Sequence, residues 1–211
     1  MQEVQSGVPL QPFGVILAGG AARRLDGAAK GLLDIAGERI IDRVATAMRP
    51  LVSRLVIVAG SVAASGWLRD ADFLVDEQPG GGALAGIATA LRATRQDVLA
   101  IAWDMPFVTG AVLLPLLVDD DGDVFDATMW RTTSGIEPLC ALYRRSALPI
   151  IDAAIASGVR RARDVASLLR VRTLQHAGTV GGASPFMSVN TPDDLAVARQ
   201  IAAPEPSPLT L

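Results

Sequence analysis

Short apolar runs alternate with segments whose apolar residues recur at helical spacing, and this alternation constrains the fold most. Four runs read as buried strands, and each ends in glycine or a carboxylate: FGVILAG (13–19), RLVIVAG (54–60), DFLVD (72–76) and DVLAIAWD (97–104). Helical spacing follows in GERIIDRVATAM (37–48) and again over 84–91. Strands that alternate with helices predict a parallel sheet covered by helices on both faces.

The second half of the chain alternates less regularly. DVFDATMW (123–130) and GIEPLCALY (135–143) predict two paired strands around the turn-like RTTSG, and helices are expected near 144–157 and 161–170. TPDDLAVARQIA (191–202) predicts a further helix, with Thr191 as its cap and Pro192 in its first turn. The simplest account is a mostly parallel sheet with a mixed edge.

Length and composition indicate one α/β domain. The chain has 211 residues, of which 50% are hydrophobic and 19% charged, which is ample for one buried core. We expect a single domain over 13–203, a disordered N-terminal segment over 1–12 and a disordered, Pro-rich tail over 204–211.

Charge and cysteine content exclude several classes of function. A net charge of -3 provides no broad basic field for nucleic acid. No apolar run reaches the roughly 18 residues of a membrane span, and the first residues lack a cationic, apolar leader. Cys140 and His176 are the only cysteine and histidine, which excludes an intrachain disulfide and a Cys/His zinc site. We therefore expect a cytoplasmic protein with no nucleic-acid or membrane partner.

The stretch LAGGAARRLDGAAKGL (17–32) combines glycines with arginines 23 and 24 and with Lys30, the sole lysine of the chain. Glycines let backbone N–H groups approach a phosphate closely, and the cations offset charge on a leaving pyrophosphate. The spacing does not fit the G-x-x-x-x-G-K-[ST] phosphate loop or the G-x-G-x-x-G fingerprint. From these residues alone, both a nucleotide clamp and a solvated turn remain open.

Two carboxylates, Asp76 and Asp104, follow predicted strands, as do Gly19 and Gly20. Ligands of such sheets bind beyond the carboxyl ends of the strands, where the strand order reverses. Asp104 before Met105 and Pro106 also fits a turn cap, and Asp76 also fits a plain turn carboxylate.

Five motifs occur in order along residues 13–200. They are the LAGG…R…G..K stretch, DEQPGGGALAGI (76–87), AWDMPFV (102–108), EPLCALY (137–143) and VNTPDDL (189–195). Together they resemble the signature of nucleotidyltransferases related to molybdenum cofactor guanylyltransferase. The resemblance implies a Rossmann-like three-layer α/β/α fold.

The resemblance also implies roles for individual residues. The nucleotide would contact eight positions: Leu17, Ala18, Gly19, Gly20, Lys30, Asp76, Gly80 and Gly82. Catalysis would rest on three residues: Lys30, Arg24 and Asp104. Asp104 would also hold Mg²⁺, and Glu137 and Asn190 would contact the acceptor. An arginine partner for Glu137 and a helix cap for Asn190 are competing interpretations.

The implied reaction transfers GMP from GTP to molybdopterin or the molybdenum cofactor and releases pyrophosphate. The LAGG form resembles the guanylyl rather than the cytidylyl enzymes of this group. A protein with this function would also contact molybdoenzymes or other proteins of cofactor biosynthesis transiently.

The chain departs from the family pattern at several positions. Asp26 brings an acid into the phosphate loop, and Ala29 replaces an acid before the lysine. Gly60 and Ser61 stand where the family has a guanine-reading asparagine, and Ser188 stands where many relatives have another asparagine. Two alternatives therefore stay open: transfer from CTP or to another small phosphorylated acceptor, and a non-catalytic nucleotide-binding accessory protein.

Overall fold

The computed structural model describes residues 11–19, 29–78, 80–118, 124–176, 178–179 and 182–203. Residues 20–28, which include Gly20, Arg24 and Asp26, lie outside the described residues. So do residues 1–10 and the tail 204–211, for which disorder was expected.

Strands and helices alternate along the described ranges. The strands are β1 (Phe13–Leu17), β2 (Asp34–Ile35), β3 (Glu38–Arg39), β4 (Arg54–Ala59), β5 (Asp72–Val75), β6 (Val98–Ala102), β7 (Ala127–Thr132), β8 (Gly135–Tyr143) and β9 (Val171–Gln175). The α-helices are α1 (Ile40–Met48), α2 (Gly82–Thr94), α3 (Gly110–Leu113), α4 (Leu148–Ala156), α5 (Ala162–Val165) and α6 (Pro192–Ala202). Short 3₁₀ helices cover Lys30–Leu32, Arg49–Leu51, Val62–Gly66, Leu114–Leu117 and Arg145–Ala147.

Seven strands form one sheet in the order β5-β4-β1-β6-β8-β7-β9. In that sheet β8 alone runs antiparallel to its neighbours, pairing with β6 on one side and β7 on the other. The remaining contacts, including β7 with β9, are parallel. The mostly parallel sheet with a mixed side is thus confirmed.

The strand order reverses at β1, which has β4 on one side and β6 on the other. The chain moves outward from β1 to β4 and β5, and then crosses back to place β6 on the opposite side of β1. Leu17, the last residue of β1, pairs with Val58 and Ala102 of these two neighbours. Such a reversal opens a crevice at the carboxyl ends of the strands, where the predicted site residues lie.

Helices cover both faces of the sheet and form the predicted three layers. Ile41, Val44 and Met48 of α1 pack on one face together with Val112 and Leu113 of α3. The opposite face is covered by α2, α4 and α5. This arrangement explains why β1, β4 and β6 read as nearly continuous apolar runs: they are buried on both sides.

Two local features differ from the sequence prediction. The two-residue strands β2 and β3 form a hairpin that was not predicted, because strands this short carry no measurable periodicity. The helix expected over 161–170 is limited to α5, and turns follow it. Ala166 and Leu169 are still buried, so their apolar pattern reflects tertiary packing rather than a continued helix.

None of the helices in the described part of the chain has the length and apolarity needed to cross a membrane.

Candidate active site

A cavity of about 220 Å³ lies at the carboxyl ends of β1, β4 and β6. Predicted site residues from distant parts of the sequence line it: Leu17, Gly19, Asp76, Gly82, Asp104 and Asn190. The volume is below the roughly 300–1,000 Å³ of cavities that enclose a whole small-molecule ligand. The cavity is therefore smaller than one that encloses a whole ligand of this kind.

Asp104 reaches the cavity because it follows β6 at the point where the strand order reverses. Its Oδ1 atom is buried and receives no hydrogen bond from the described residues. Burial raises the pKa of Asp104, although the positive charge of Lys30 and a hydrogen bond from Ser188 act in the opposite direction. A buried carboxylate oxygen without a donor is chemically suited to a cation.

A divalent cation fits this donor set only if other oxygens complete its coordination. No group of three or more His, Cys, Asp or Glu side chains with metal-binding geometry occurs among the described residues. Mg²⁺ is commonly held by one or two carboxylates together with substrate phosphates and water. Asp104 therefore fits a metal that arrives with a nucleotide, rather than a metal caged by protein alone.

Lys30 lies in the 3₁₀ helix Lys30–Leu32, close enough to Asp104 for its positive charge to act on that carboxylate. Its Nζ donates a hydrogen bond of 2.6 Å to Oδ1 of Asn190, which is 160 positions away in sequence. Asn190 precedes α6, and its backbone N–H donates to Oδ2 of Asp194 at 2.8 Å. The capping box of α6, in which Thr191 and Asp194 bond reciprocally, thus also fixes the residue that meets Lys30.

The 3₁₀ helix Lys30–Leu32 packs closely against the residues that follow β6. A Cβ atom placed on Gly31 would lie 2.5 Å from Cε3 of Trp103, so only glycine allows this approach. Trp103 in turn stacks on Trp67 with ring centroids 4.9 Å apart. Lys30 and Asp104, each adjacent to one of these packed residues, are thereby held on neighbouring elements.

Asp76 follows β5 and is held from two sides. Its Oδ1 accepts hydrogen bonds from the backbone N–H of Gln78 at 3.0 Å and from the hydroxyl of Thr89 at 3.3 Å. Its own N–H donates to the carbonyl of Ala59 at 2.9 Å, which extends the β4–β5 ladder by one residue. The carboxylate is thus fixed at the cavity wall.

The two predicted nucleotide-binding glycines after Asp76 have different surroundings. Gly82 begins α2 with φ of +75°, and a Cβ there would lie 2.9 Å from the carbonyl oxygen of Arg160. Gly82 lines the cavity, whereas Gly80 is exposed and is not part of the cavity lining. Ala18 is 6% exposed and packs into the core beside the site.

Glu137 lies on β8, where the strand register is irregular. Met129 of β7 pairs with Ala141, but the next residue, Trp130, pairs with Glu137. Glu137 is not part of the cavity lining, whereas Leu139, two residues along β8, is. Its Oε1 accepts a 3.3 Å hydrogen bond from the hydroxyl of Thr132.

The surroundings of Glu137 also affect its ionisation. Burial raises the pKa of Glu137, while the Thr132 hydrogen bond and the charge of Arg163 lower it. The charge of Arg163 therefore acts on Glu137, but no ion pair joins these two side chains within the described part of the chain.

The bulge on β8 depends on Tyr143. Its fully buried hydroxyl donates a 2.9 Å hydrogen bond to the carbonyl of Pro138, which lies inside the bulge. We expect Tyr143→Phe to lower the free energy of unfolding by about 1–3 kcal/mol, because it leaves a buried carbonyl without a donor. Urea denaturation of the purified protein measures this change.

Ser157→Ala is the matched control, since the Ser157 hydroxyl also donates to a backbone carbonyl but lies on an exposed residue. We expect it to change stability by less than about 0.5 kcal/mol. Equal effects from the two variants would contradict a role for Tyr143 in holding the bulge.

Several residues of the site were not predicted from the sequence. Ser188, Trp103, Ala83 and Gly86 line the cavity, and Thr89 holds Asp76 from within α2. Ser188 lies two residues before Asn190, and Gly86 lies within the second motif, so both were close to a visible signal. Thr89 had none, because a threonine inside a helix does not indicate which loop lies above it.

A second cavity, of about 580 Å³, is larger but lies elsewhere, between α1, the segment 106–110 and the end of α6. Phe107, Val108 and Ile201 give it an apolar wall, and Arg43 and Glu38 provide its charges. None of the predicted site residues lines it. The smaller cavity, which collects carboxylates, glycines and an asparagine at the strand ends, is therefore the candidate active site.

Comparisons with known proteins identify the family of this chain. The family model described as a MobA-like NTP transferase domain matches residues 14–177. A probable molybdenum cofactor guanylyltransferase of Pelotomaculum thermopropionicum is 32% identical over 197 residues, covering 92% of this chain and 94% of that protein.

Solved structures show the same fold. A molybdopterin-guanine dinucleotide biosynthesis protein A from Archaeoglobus fulgidus superposes with a TM-score of 0.74 at 28% identity, covering 90% of this chain and 97% of its own. Mycobacterium tuberculosis Rv0371C, solved in complex with manganese, superposes with a TM-score of 0.63 at 20% identity, covering 89% and 97%. The chain belongs to the MobA-like NTP transferase family of nucleotidyltransferases.

Proposed function

We propose that this protein transfers GMP from GTP to molybdopterin or the molybdenum cofactor and releases pyrophosphate. The observation that carries the proposal is the convergence of Asp104, Asp76, Gly19 and Asn190 on one cavity at the strand reversal, with Lys30 bonded to Asn190. A relative that is 32% identical over 197 residues is named as a probable guanylyltransferase of this cofactor.

In this proposal the acceptor phosphate is the nucleophile. One of its oxygens attacks the α-phosphorus of GTP, and the bond from that phosphorus to the oxygen bridging to the β-phosphate breaks. A phosphate monoester has a second pKa near 6 and is largely dianionic at neutral pH, so the nucleophile needs no general base. The protein contributes by positioning the reactants and by electrostatic stabilisation.

We assign the nucleotide to the wall formed by Leu17, Gly19, Asp76 and Gly82, and the acceptor to the side of Glu137 and Asn190. The strand end at Leu17 and the start of α2 at Gly82 offer glycines for close backbone approach. The family motif is the basis for two further assignments. We include Ala18, Gly20 and Gly80 among the nucleotide contacts and Arg24 among the catalytic residues. The assignments of these four residues rest on the sequence, because the two that the structure describes, Ala18 and Gly80, do not line the cavity, and the other two lie outside the described residues.

We propose Mg²⁺ as the cation and Asp104 as its protein ligand. The unpartnered Oδ1 of Asp104 supports this assignment, as does the manganese complex of Mycobacterium tuberculosis Rv0371C, which has the same fold. When bound, the cation neutralises charge on the nucleotide phosphates. Lys30 acts on the same charge, with its ammonium oriented by Asn190.

The proposed reaction also bears on where the protein acts and which proteins it contacts. GTP as donor favours action in the cytoplasm, and delivery of the product favours transient contact with molybdoenzymes.

The experiment that tests the proposal measures pyrophosphate release with GTP or CTP in the presence of molybdopterin. We expect release with GTP and at least tenfold less with CTP, about the discrimination that 1.4 kcal/mol provides. The CTP arm matters because Gly60, which stands where the family has a guanine-reading asparagine, lines the cavity. Preference for CTP would make the protein a cytidylyltransferase, and tight GTP binding without pyrophosphate release on any acceptor would indicate an accessory protein.

A further inference from the structure

Thr89 lies inside α2 and is almost completely buried, with 3% of its surface exposed. A buried hydroxyl is retained at little cost only when its hydrogen bonds are made. The Thr89 hydroxyl makes two: it accepts from the backbone N–H of Glu77 at 3.2 Å and donates to Oδ1 of Asp76 at 3.3 Å. Both partners belong to the loop that follows β5.

A second residue of α2 holds the same loop. Arg92, one helical turn after Thr89, binds the carboxylate of Glu77 and also donates to Oδ1 of Asp152 on α4 at 2.7 Å. The loop is therefore fastened to the helix layer at two successive residues, Asp76 and Glu77. The first half of α2 lines the cavity through Gly82, Ala83 and Gly86. The same helix therefore forms part of the cavity wall and, through Thr89, also holds the carboxylate of Asp76.

The hydrogen bonds distinguish the two oxygens of Asp76. Within the described part of the chain, both donors to this carboxylate, the Thr89 hydroxyl and the Gln78 N–H, end on Oδ1. Oδ2 is left to accept hydrogen bonds from a ligand. The hydroxyls of a ribose and the N–H groups of a guanine edge are donors that suit such an acceptor.

We infer that Thr89 is a positioning residue for nucleotide binding, whose hydroxyl orients Asp76 so that Oδ2 is presented to the nucleoside. This inference rests on the proposed function, since it takes the cavity as the nucleotide site. Thr89 itself does not contact the nucleotide. Its role concerns donor binding and is separate from the charge stabilisation assigned to Lys30 and Asp104.

The test compares Thr89→Val, which keeps the shape of the side chain and removes the hydroxyl, with Thr89→Ser, which keeps the hydroxyl. Calorimetry with Mg²⁺ measures the affinity for each of GTP, CTP, ATP and UTP. For the nucleotide that the wild type binds best, we expect Thr89→Val to weaken binding about tenfold, the scale of a hydrogen bond to a charged group. Thr89→Ser should restore most of that affinity.

Thr94→Val is the matched control on the same helix, because the Thr94 hydroxyl donates only locally, to the carbonyl of Ala90 at 2.8 Å. It should bind nucleotide as the wild type does. In turnover assays, Thr89→Val should raise the KM for the nucleotide and leave both kcat and the KM for molybdopterin within about twofold. A general loss of structure would instead lower the active fraction for both substrates.

A double-mutant cycle decides whether Thr89 acts through Asp76. In an Asp76→Asn background, Thr89→Val should cost less than half as much affinity as it does in the wild type. Full additivity, or wild-type affinity in Thr89→Val, would overturn the inference. A wild type that prefers CTP would correct the proposed donor while leaving the role of Thr89 supported, and a wild type that binds none of the four nucleotides would overturn both.

Discussion

Asp104→Asn is expected to lower turnover by about 10³-fold or more while the protein stays folded. The change keeps the size of the side chain and removes its charge, at the position where Oδ1 is buried without a hydrogen-bond donor. A metal contribution of several kcal/mol to charge stabilisation corresponds to this loss, since about 1.4 kcal/mol changes a rate tenfold. Pyrophosphate release across a magnesium titration measures the effect.

Binding of Mn²⁺ in the presence of GTP, followed by electron paramagnetic resonance, provides a readout that does not depend on turnover. It should weaken in Asp104→Asn. Asp72→Asn is the matched control, because Asp72 is an exposed carboxylate at the amino end of β5, paired with Arg54 and away from the cavity. Full activity of Asp104→Asn at all magnesium concentrations would require a different metal ligand.

Lys30→Met should reduce kcat by about 10²-fold or more, the scale observed when one preorganised charge-stabilising group is removed. The ammonium is held by Asn190 at 2.6 Å, and the N–H of the preceding Val189 donates to the carbonyl of Asp104 at 2.9 Å. Because its proposed partner is the charge that develops on the leaving pyrophosphate, kcat should fall more than the affinity for GTP. Steady-state kinetics with GTP and molybdopterin separate the two parameters.

Lys30→Arg serves as the control that keeps the charge. It should retain more activity than Lys30→Met, although the longer and planar guanidinium cannot reproduce the geometry at Asn190. Unchanged turnover in Lys30→Met would contradict the proposed role. Because Lys30 is the only lysine in the sequence, no other lysine can replace its ammonium in the Lys30→Met variant.

The parallel half of the fold was predictable because burial on both faces leaves a simple pattern. β1, β4 and β6 are continuous apolar runs, and α1 and α2 show helical spacing of their buried residues. The cap of α6 was also visible, as Thr191 and Pro192 occupy the positions expected of them. The β2–β3 hairpin and the short α5 were not, because at these lengths tertiary packing outweighs local preference.

The sequence by itself determined which residues can carry the chemistry: glycines and a lone lysine after β1, and a carboxylate after each of β5 and β6. This was possible because the type of each side chain and its position after a strand can both be read from short stretches of consecutive residues. Only the tertiary structure decided which of them meet. The Lys30–Asn190 contact spans 160 positions, and the two bonds of Thr89 join α2 to a loop 12 and 13 residues earlier.

The structure also separated residues that the sequence had grouped together. Gly82 lines the cavity and Gly80 does not. Glu137 is not part of the cavity lining, although Leu139 of the same strand is. Such differences follow from where the folded backbone carries each residue, and motif spacing carries no information about that position.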